Sequence, residues 1–386
     1  MAFDFYKLDS QLTEKQRLLK QQVDEYVDQI VLPSINPFWE KAEFPRDLVM
    51  QLKHLPIMGG VIKDFGCSGL SLLELGLVMK ELAKGDGSLA TFYGVHCGLA
   101  MGSIELLGSD EQRERWLPSM ASLEKIGAFA LTEPNHGSDV INMETKARME
   151  GTEYVLNGHK RWIGNASISD LMIVWAKDGN GDLGGFVIEN PQQTKGVEIH
   201  DIQGKRGLRA ILNADVHLKQ VRIPIKNRLP KVKTFVDIAT ILKLGRFAVS
   251  WEAAGLAEGA FEHALAYAQK RVQFSRPIAS YQLIQEKLVE MAAEVTAMQL
   301  ICFQLAHQLE ADAYSEGMLS LAKYHNAAKA RHVTRMAAET LGGNGLLLEN
   351  HIARLAADAE AIYIYEGTNE MNLLLVGKEL TGFSAI

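Results

Sequence analysis

The chain has 386 residues, 47% hydrophobic and 23% charged, an ordinary globular composition with enough polymer for two or three packed domains, which excludes intrinsic disorder. Forty Lys and Arg against forty-seven Asp and Glu give a net charge of −7 with no basic run, so a nucleic-acid partner is disfavoured. Three widely spaced cysteines, Cys67, Cys97 and Cys302, build neither a disulfide framework nor a zinc site, and buried thiols in a reducing compartment with no metal are expected.

No fixed-period repeat or low-complexity tract is present, which argues against a solenoid. Apolar stretches such as Leu171 to Ala176 fall far short of the roughly 18 residues that span a bilayer. The acidic start MAFDFYKLDS has no apolar leader, and the ending FSAI lacks a Ser-Lys-Leu type signal. The expectation is a soluble protein with no membrane, in a bacterial cytoplasm, or in the mitochondrial matrix if it is a mature eukaryotic form.

Helical signals come first in the chain. Thr13 with Gln16 three residues later predicts a capping box, and Leu19, Val23, Tyr26, Val27 and Ile30 follow as one apolar stripe. Residues 1–124 therefore read as an all-α domain. From 125 to 233 the period changes to two, with β-branched residues and frequent turn signals in IGAFALTEP, EYVLNGHKRWIGN, LMIVWAKDGNGDLGGFVIE and DVHLKQVRIP. Asn157-Gly158 predicts a two-residue hairpin there. This middle domain reads as an antiparallel sheet or barrel.

Residues 234–386 return to the helical period, with long segments over about 237–271, 281–311 and 318–341, the last stopped by Gly342-Gly343. Long helices with short connections predict a four-helix bundle, so the whole is an α+β multidomain chain in the order α, β, α. Gly342-Gly343-Asn344-Gly345 follows a helix instead of a strand, and a Rossmann dinucleotide site fails on that context.

Four segments on this frame carry a resemblance. They are Leu131-Thr132-Glu133-Pro134 with Gly137-Ser138-Asp139; Asn157-Gly158-His159-Lys160-Arg161-Trp162-Ile163-Gly164-Asn165; Arg271-Val272-Gln273-Phe274; and Leu341-Gly342-Gly343-Asn344-Gly345 leading to Tyr365-Glu366-Gly367-Thr368. In this order they resemble the acyl-CoA dehydrogenase family across essentially the whole chain. WEKAEFP, KDFGCSG, TEPNHGSD, MAAETLGGNG and GKELTGF are most similar to the glutaryl-CoA dehydrogenase group and the plant short-chain acyl-CoA oxidases. The resemblance implies a homotetramer, a dimer of dimers, each subunit holding one FAD.

The family's reaction removes the α-proton of an acyl thioester as the β-hydrogen leaves as hydride. It needs a carboxylate base at the α-carbon and hydrogen-bond donors on the thioester oxygen. By resemblance Glu366 is the base, and its backbone N–H is one donor with a flavin ribityl hydroxyl as the other. Thr368 is independently a good N-cap for the following helix and Gly367 a loop residue, so a merely capped turn is the bland reading. Some relatives carry the base just before Arg246; Gly245 stands there. Glu252, two helical turns on, is a rival carboxylate or a pocket wall.

The resemblance further implies that Leu131, Thr132, Trp162, Ile163 and Gly164 meet the flavin ring and that Ser138 meets FAD phosphate or pantetheine. Arg271, Phe274, Gln282, Gly342 and Gly343 take the pyrophosphate and adenine end, with Glu339, Thr368 and Glu370 also on the cofactor side. Arg246 and Gly367 join Ser138 in binding substrate. Core packing is the plain alternative for Phe274 and Trp162, and a surface ion pair for Arg246.

Two departures bear on function. Gly164 replaces the usual Thr whose hydroxyl faces flavin N5, as in the plant oxidases, which opens an O2-reacting, peroxide-forming oxidase as an alternative to electron-transferring flavoprotein as acceptor. Ala83 and Ala90 fall where glutaryl-CoA dehydrogenases place a Glu and a carboxylate-binding Arg, so glutaryl-CoA is disfavoured and a neutral short or branched chain fits better. Phe92, Tyr93 and Trp251 are candidates to narrow the pocket. A catalytically silent binding protein of the same fold is the remaining alternative.

Overall fold

The computed structural model describes residues 4–385. Thr13 accepts from the Gln16 amide at 3.3 Å and the Gln16 side chain accepts from the Thr13 amide at 2.9 Å, closing the expected capping box. Helix α1 (Glu14–Tyr26) buries Leu19, Val23 and Tyr26, and a π-helical turn leads into α2 (Leu32–Lys41) and α3 (Arg46–Gln51). Helix α4 (Leu72–Gly85), begun by the Ser71 and Glu74 capping box, is buried from Leu73 to Gly85. Its charges survive burial because they are paired: Lys80 lies 2.7 Å from Glu258 and 3.0 Å from Glu81, and Lys84 bonds Asp24. Helix α5 (Gly87–Tyr93) continues without a break through a π-helical segment, Gly94–Met101, to α6 (Gly102–Leu107), and α7 (Asp110–Ala121) ends the region.

The middle of the chain forms β1 (Gly127–Ala130), β2 (Lys146–Glu150), β3 (Glu153–Gly164), β4 (Leu171–Lys177), β5 (Leu183–Glu189), β6 (Val197–Asp201) and β7 (Asn213–Pro224). The sheet runs β1-β4-β2-β3-β7-β6, and off this path β5 pairs antiparallel with β4. It is mostly antiparallel, but β1 pairs with β4 in parallel, Gly127 opposite Leu171. Strand β4 is buried on both faces: Leu171, Ile173 and Trp175 enter the core shared with the helices, and Met172, Val174 and Ala176 enter a second core behind the sheet.

The hairpin expected at Asn157-Gly158 is not there. Those residues lie inside β3, where the register slips between Leu156 and Gly158, and the turn is at Gly151, φ 62°. A Cβ on Gly158 would fall 2.2 Å from Thr145 Oγ1, so this glycine marks a close approach at a bulge.

Helices α8 (Phe235–Lys270), α9 (Gln282–Glu310) and α10 (Glu316–Leu341) agree with the expected segments within two residues at each end. Helices α11 (Ile352–Ile364) and α12 (Asn369–Thr381) complete the C-terminal bundle. Helix α9 has the length and apolarity of a membrane span, with 44% of that window buried against the rest of the protein. One continuous core joins the two helical regions and the near face of the sheet, so a ligand entering between them would be walled by all three.

Candidate active site

The turn between α11 and α12 is built against local preference. Glu366 has φ 52° and Gly367 φ 76°, two successive left-handed residues, and the first carries a side chain that disfavours this conformation by about 1 kcal/mol. Surrounding bonds hold it. Buried Lys323 donates to the carbonyls of Tyr363 at 3.1 Å and Gly367 at 2.9 Å. Asn372 donates to the carbonyls of Gly367 at 2.9 Å and Thr368 at 3.0 Å. Thr368 caps α12 by accepting from the Met371 amide, as expected.

This turn delivers the Glu366 carboxyl onto α8. A Cβ on Gly245 would fall 2.4 Å from Glu366 Oε2, so the carboxyl fills the space that a side chain at position 245 would take. Burial pushes its pKa up to about 7, opposed by the positive charges of Arg246 and Lys323. Burial also lowers Lys323 to about 8, and Lys323 forms no ion pair among the described residues. Arg246 makes the ion pair weighed as the alternative to a substrate contact: it pairs with Glu316 at 3.1 Å and donates to Ser320 at 3.1 Å.

The opposite wall is one face of the helix running on from α5. Thr91, Gly94, Val95 and Gly98 are partly exposed in an otherwise buried stretch, at the three- and four-residue spacing of a helix face. Val95 Cγ2 lies 3.4 Å from where a Cβ on Gly164 would stand, so this face meets the end of β3. Phe92, Tyr93 and Trp251 do not narrow the cleft. All three are fully buried, Tyr93 donating to Ile57 O and Trp251 lying against Gly76 of α4.

Glu252 is neither surface nor wall alone. It is buried, Tyr365 donates to its Oε2 at 2.7 Å, and Thr91 Oγ1 lies 2.9 Å from its Oε1. Desolvation raises its pKa to about 8, with Asp358 and Glu366 adding repulsion.

At the other end of the cleft, Lys160 donates to Leu131 O at 2.9 Å and pairs with buried Glu133 at 2.8 Å, while the Arg161 amide donates to Thr132 O. These bonds bring Leu131 and Thr132 beside Trp162 and Gly164. Trp162 is 52% exposed and Phe274 91%, which excludes core packing for both, and both have left-handed backbones at φ 63° and 49°. The Ile163 side chain packs in the sheet core, leaving only its backbone for a ligand. Ser138, Arg271 and Gln282 are exposed, Arg271 without an ion pair among the described residues. Gly342 and Gly343 face open space, as a phosphate cradle requires. Glu339 is paired with Lys287 at 2.9 Å and Arg335 at 3.5 Å, and Glu370 is exposed in the first turn of α12. Glu133, His136 and Glu144 place ligand atoms within 4.8 Å of one another, but Glu133 is committed to Lys160 and the amides of Glu144 and Thr145.

Sequence reasoning missed Lys323, Thr91 and the Glu133–Lys160 pair. Lys323 had a legible signal: it stands among Leu319, Ala322, Asn326 and Ala330, on the buried stripe of α10.

Comparison with known proteins agrees with this geometry along the chain. Residues 13–124, 128–221 and 235–381 match the family models of the acyl-CoA dehydrogenase N-terminal, middle and C-terminal domains. A 3-(aryl)acrylate reductase of Clostridium sporogenes is 32% identical over 95% of this chain and 99% of its own. Glutaryl-CoA dehydrogenase of Mycobacterium smegmatis superposes with TM-score 0.95 at 37% identity, covering 98% of this chain and 97% of that one. A glutaryl-CoA dehydrogenase of the same organism in complex with FADH2 gives TM-score 0.96 at 34% identity over 99% and 98% of the two chains.

Proposed function

The chain belongs to the acyl-CoA dehydrogenase family, oxidoreductases of the CH–CH bond of acyl thioesters, and from that premise we propose that it α,β-dehydrogenates a neutral short-chain or branched acyl-CoA. The observation that carries this reading is the Glu366 carboxyl held against Gly245 by a left-handed turn, with its pKa raised to about 7. A carboxylate of that basicity, aimed into a cleft, is suited to take the α-proton of a thioester. Its backbone N–H is the protein's donor to the thioester oxygen, where negative charge develops. Lys323 and Arg246 keep part of the population ionised at neutral pH.

The residues fit FAD: exposed Trp162 and Phe274 offer aromatic faces, Gly342 and Gly343 an open cradle, and Arg271 an exposed guanidinium. Leu131, Thr132, Trp162, Ile163 and Gly164 would hold its ring, Ser138 its phosphate or the pantetheine. Arg271, Phe274, Gln282, Gly342, Gly343, Thr368 and Glu370 would serve the adenosine side, across the interface of a homotetramer. Glu339, already neutralised by Lys287 and Arg335, would serve it only by exchanging those partners. FAD, when bound, supplies the hydride acceptor for the β-hydrogen.

Glutarate is disfavoured by buried Ala83 and Ala90 and by the Glu252 carboxyl, since a distal carboxylate would find no cation there. The acceptor is electron-transferring flavoprotein in this reading, and the setting is cytoplasmic. Gly164 favours a second reading, an oxidase, because it leaves no hydroxyl at the ring-facing end of β3. Hydrogen peroxide formed at the substrate turnover rate in air would select the oxidase.

The test is anaerobic addition of butyryl-CoA to the purified holoprotein, following the oxidised flavin band at roughly 450 nm. Bleaching in the wild type and a loss of roughly a thousandfold in Glu366→Gln, with flavin still bound, is the expected pair of results. Unchanged bleaching in Glu366→Gln would remove the base assignment and turn attention to Glu252.

A further inference from the structure

Glu252, Thr91 and Tyr365 form a polar cluster that the proton-abstraction chemistry does not use. Glu252 stands seven residues after Gly245, two turns or about 10 Å along the same face of α8. Helical side chains lean toward the N-terminus, which brings its carboxyl back toward the Glu366 end. Thr91 is on the open face of the facing helix, and Tyr365 is the neighbour of Glu366. The cluster therefore sits beyond the reacting atoms, where the tail of a bound acyl chain would end.

We infer that these three residues form a subsite for a hydrogen-bond donor, a hydroxyl or an ammonium group, at the far end of the acyl chain. This rests on the reading that the cleft takes an acyl thioester, and narrows its substrate class. The argument is a proton count. The Thr91 hydroxyl has one proton and three oxygens in reach, Gly87 O at 2.8 Å, Glu252 Oε1 at 2.9 Å and, more distantly, the Tyr365 hydroxyl at 3.4 Å, whose own proton goes to Glu252 Oε2 at 2.7 Å. Gly87 O can only accept, so with Glu252 in its acid form the protons run Tyr365 to Glu252, Glu252 to Thr91 and Thr91 to Gly87 O, and all three are committed. With Glu252 ionised, Tyr365 and Thr91 both donate to it. In either state the cluster has lone pairs to offer and no proton, so the ligand supplies the donor. No Lys or Arg pairs with Glu252 among the described residues, so the place of its cation is open to an ammonium. The cluster is satisfied by its own bonds, and its spare lone pairs are of use to a donor-bearing chain end but not to a purely aliphatic one.

The experiment uses the full-length holoprotein under anaerobic conditions with hexanoyl-CoA, 6-hydroxyhexanoyl-CoA and 6-aminohexanoyl-CoA and their five-carbon homologues. For each, kcat/KM for flavin bleaching is compared with that of the unsubstituted parent within the same protein, so a general loss of activity cancels. Expected is a preference of about tenfold for a hydroxyl- or amino-terminated chain, the size of one net hydrogen bond. An amino over hydroxyl preference would identify the ionised form of Glu252, the reverse order its acid form. Glu252→Leu should abolish the preference, and Thr91→Val, close to isosteric, should reduce it if Glu252→Leu does not fold. A preference for the parent chains, or one that survives both substitutions, would overturn the subsite and leave the cluster as an anchor for Tyr365. No bleaching by any thioester in flavin-loaded wild type is a different failure: it would remove the dehydrogenase reading and the subsite together.

Discussion

At the acyl end of the cleft the chain has bonded its own polar groups to one another. Glu252 is held by Tyr365 and Thr91, Lys323 by two backbone carbonyls, and the strained Glu366 turn by Lys323 and Asn372. At the nucleotide end the opposite holds: Trp162 and Phe274 project from left-handed backbones, Arg271 has no ion pair among the described residues, and Gly342 and Gly343 face open space. In the proposed function the acyl end would work with groups placed in advance by the fold, because a base misplaced by an ångström loses its effect. The nucleotide end is held more lightly: Trp162 is met by the Arg161 guanidinium at 5.5 Å and Phe274 by the Tyr281 ring at 6.4 Å, both leaving a ring exposed for a ligand.

Substitutions can break that contrast from either side. After Glu366→Gln, the largest effect is expected from Gly245→Ala, whose methyl would occupy the carboxyl's place. It should lower kcat by about a hundredfold with FAD content unchanged. Equal kcat would show that Glu366 has room elsewhere. At the other end, Arg271→Ala should weaken FAD binding by tens of fold without altering kcat of fully loaded protein, read by fluorescence titration of apoprotein; this is about 2 kcal/mol for a lost charged hydrogen bond.

Lys323→Met keeps the length and removes the donor to Tyr363 and Gly367. A roughly tenfold fall in kcat is expected, together with a lower urea midpoint and FAD affinity near that of wild type. A wild-type kcat would mean that Asn372 alone holds the turn. The gentlest probe is pH. With the pKa of Glu366 raised to about 7, the base is protonated and inactive below that value, so kcat/KM should rise with pH through about 7 and level off above it. The same shift stabilises the fold at acid pH and is lost as pH rises through about 7, so Glu366→Gln should flatten the pH dependence of the urea midpoint there.

Local physics was read correctly from local residues. The Thr13 and Gln16 capping box, the long C-terminal helices and the Thr368 cap each depend on groups within a few positions, and the structure contains them all. The hairpin at Asn157-Gly158 failed because the pressure on Gly158 comes from Thr145, a residue on another strand. The Arg246 ion pair, weighed beside a substrate contact, could not be assigned from the sequence for the same reason: its partners Glu316 and Ser320 lie on a different helix.

By itself the sequence determined the order α, β, α and the positions of the motif residues, since periodicity, caps and motifs are properties of neighbours along the chain. Only the tertiary structure decided which of those residues act together. The meeting of Glu366 with Gly245, of Gly164 with Val95 and of Glu252 with Thr91 and Tyr365 depends on how three regions pack, and the raised pKa of Glu366 is a consequence of that burial. Desolvation and close contact are set by distance in space, which one chain's residue order does not specify.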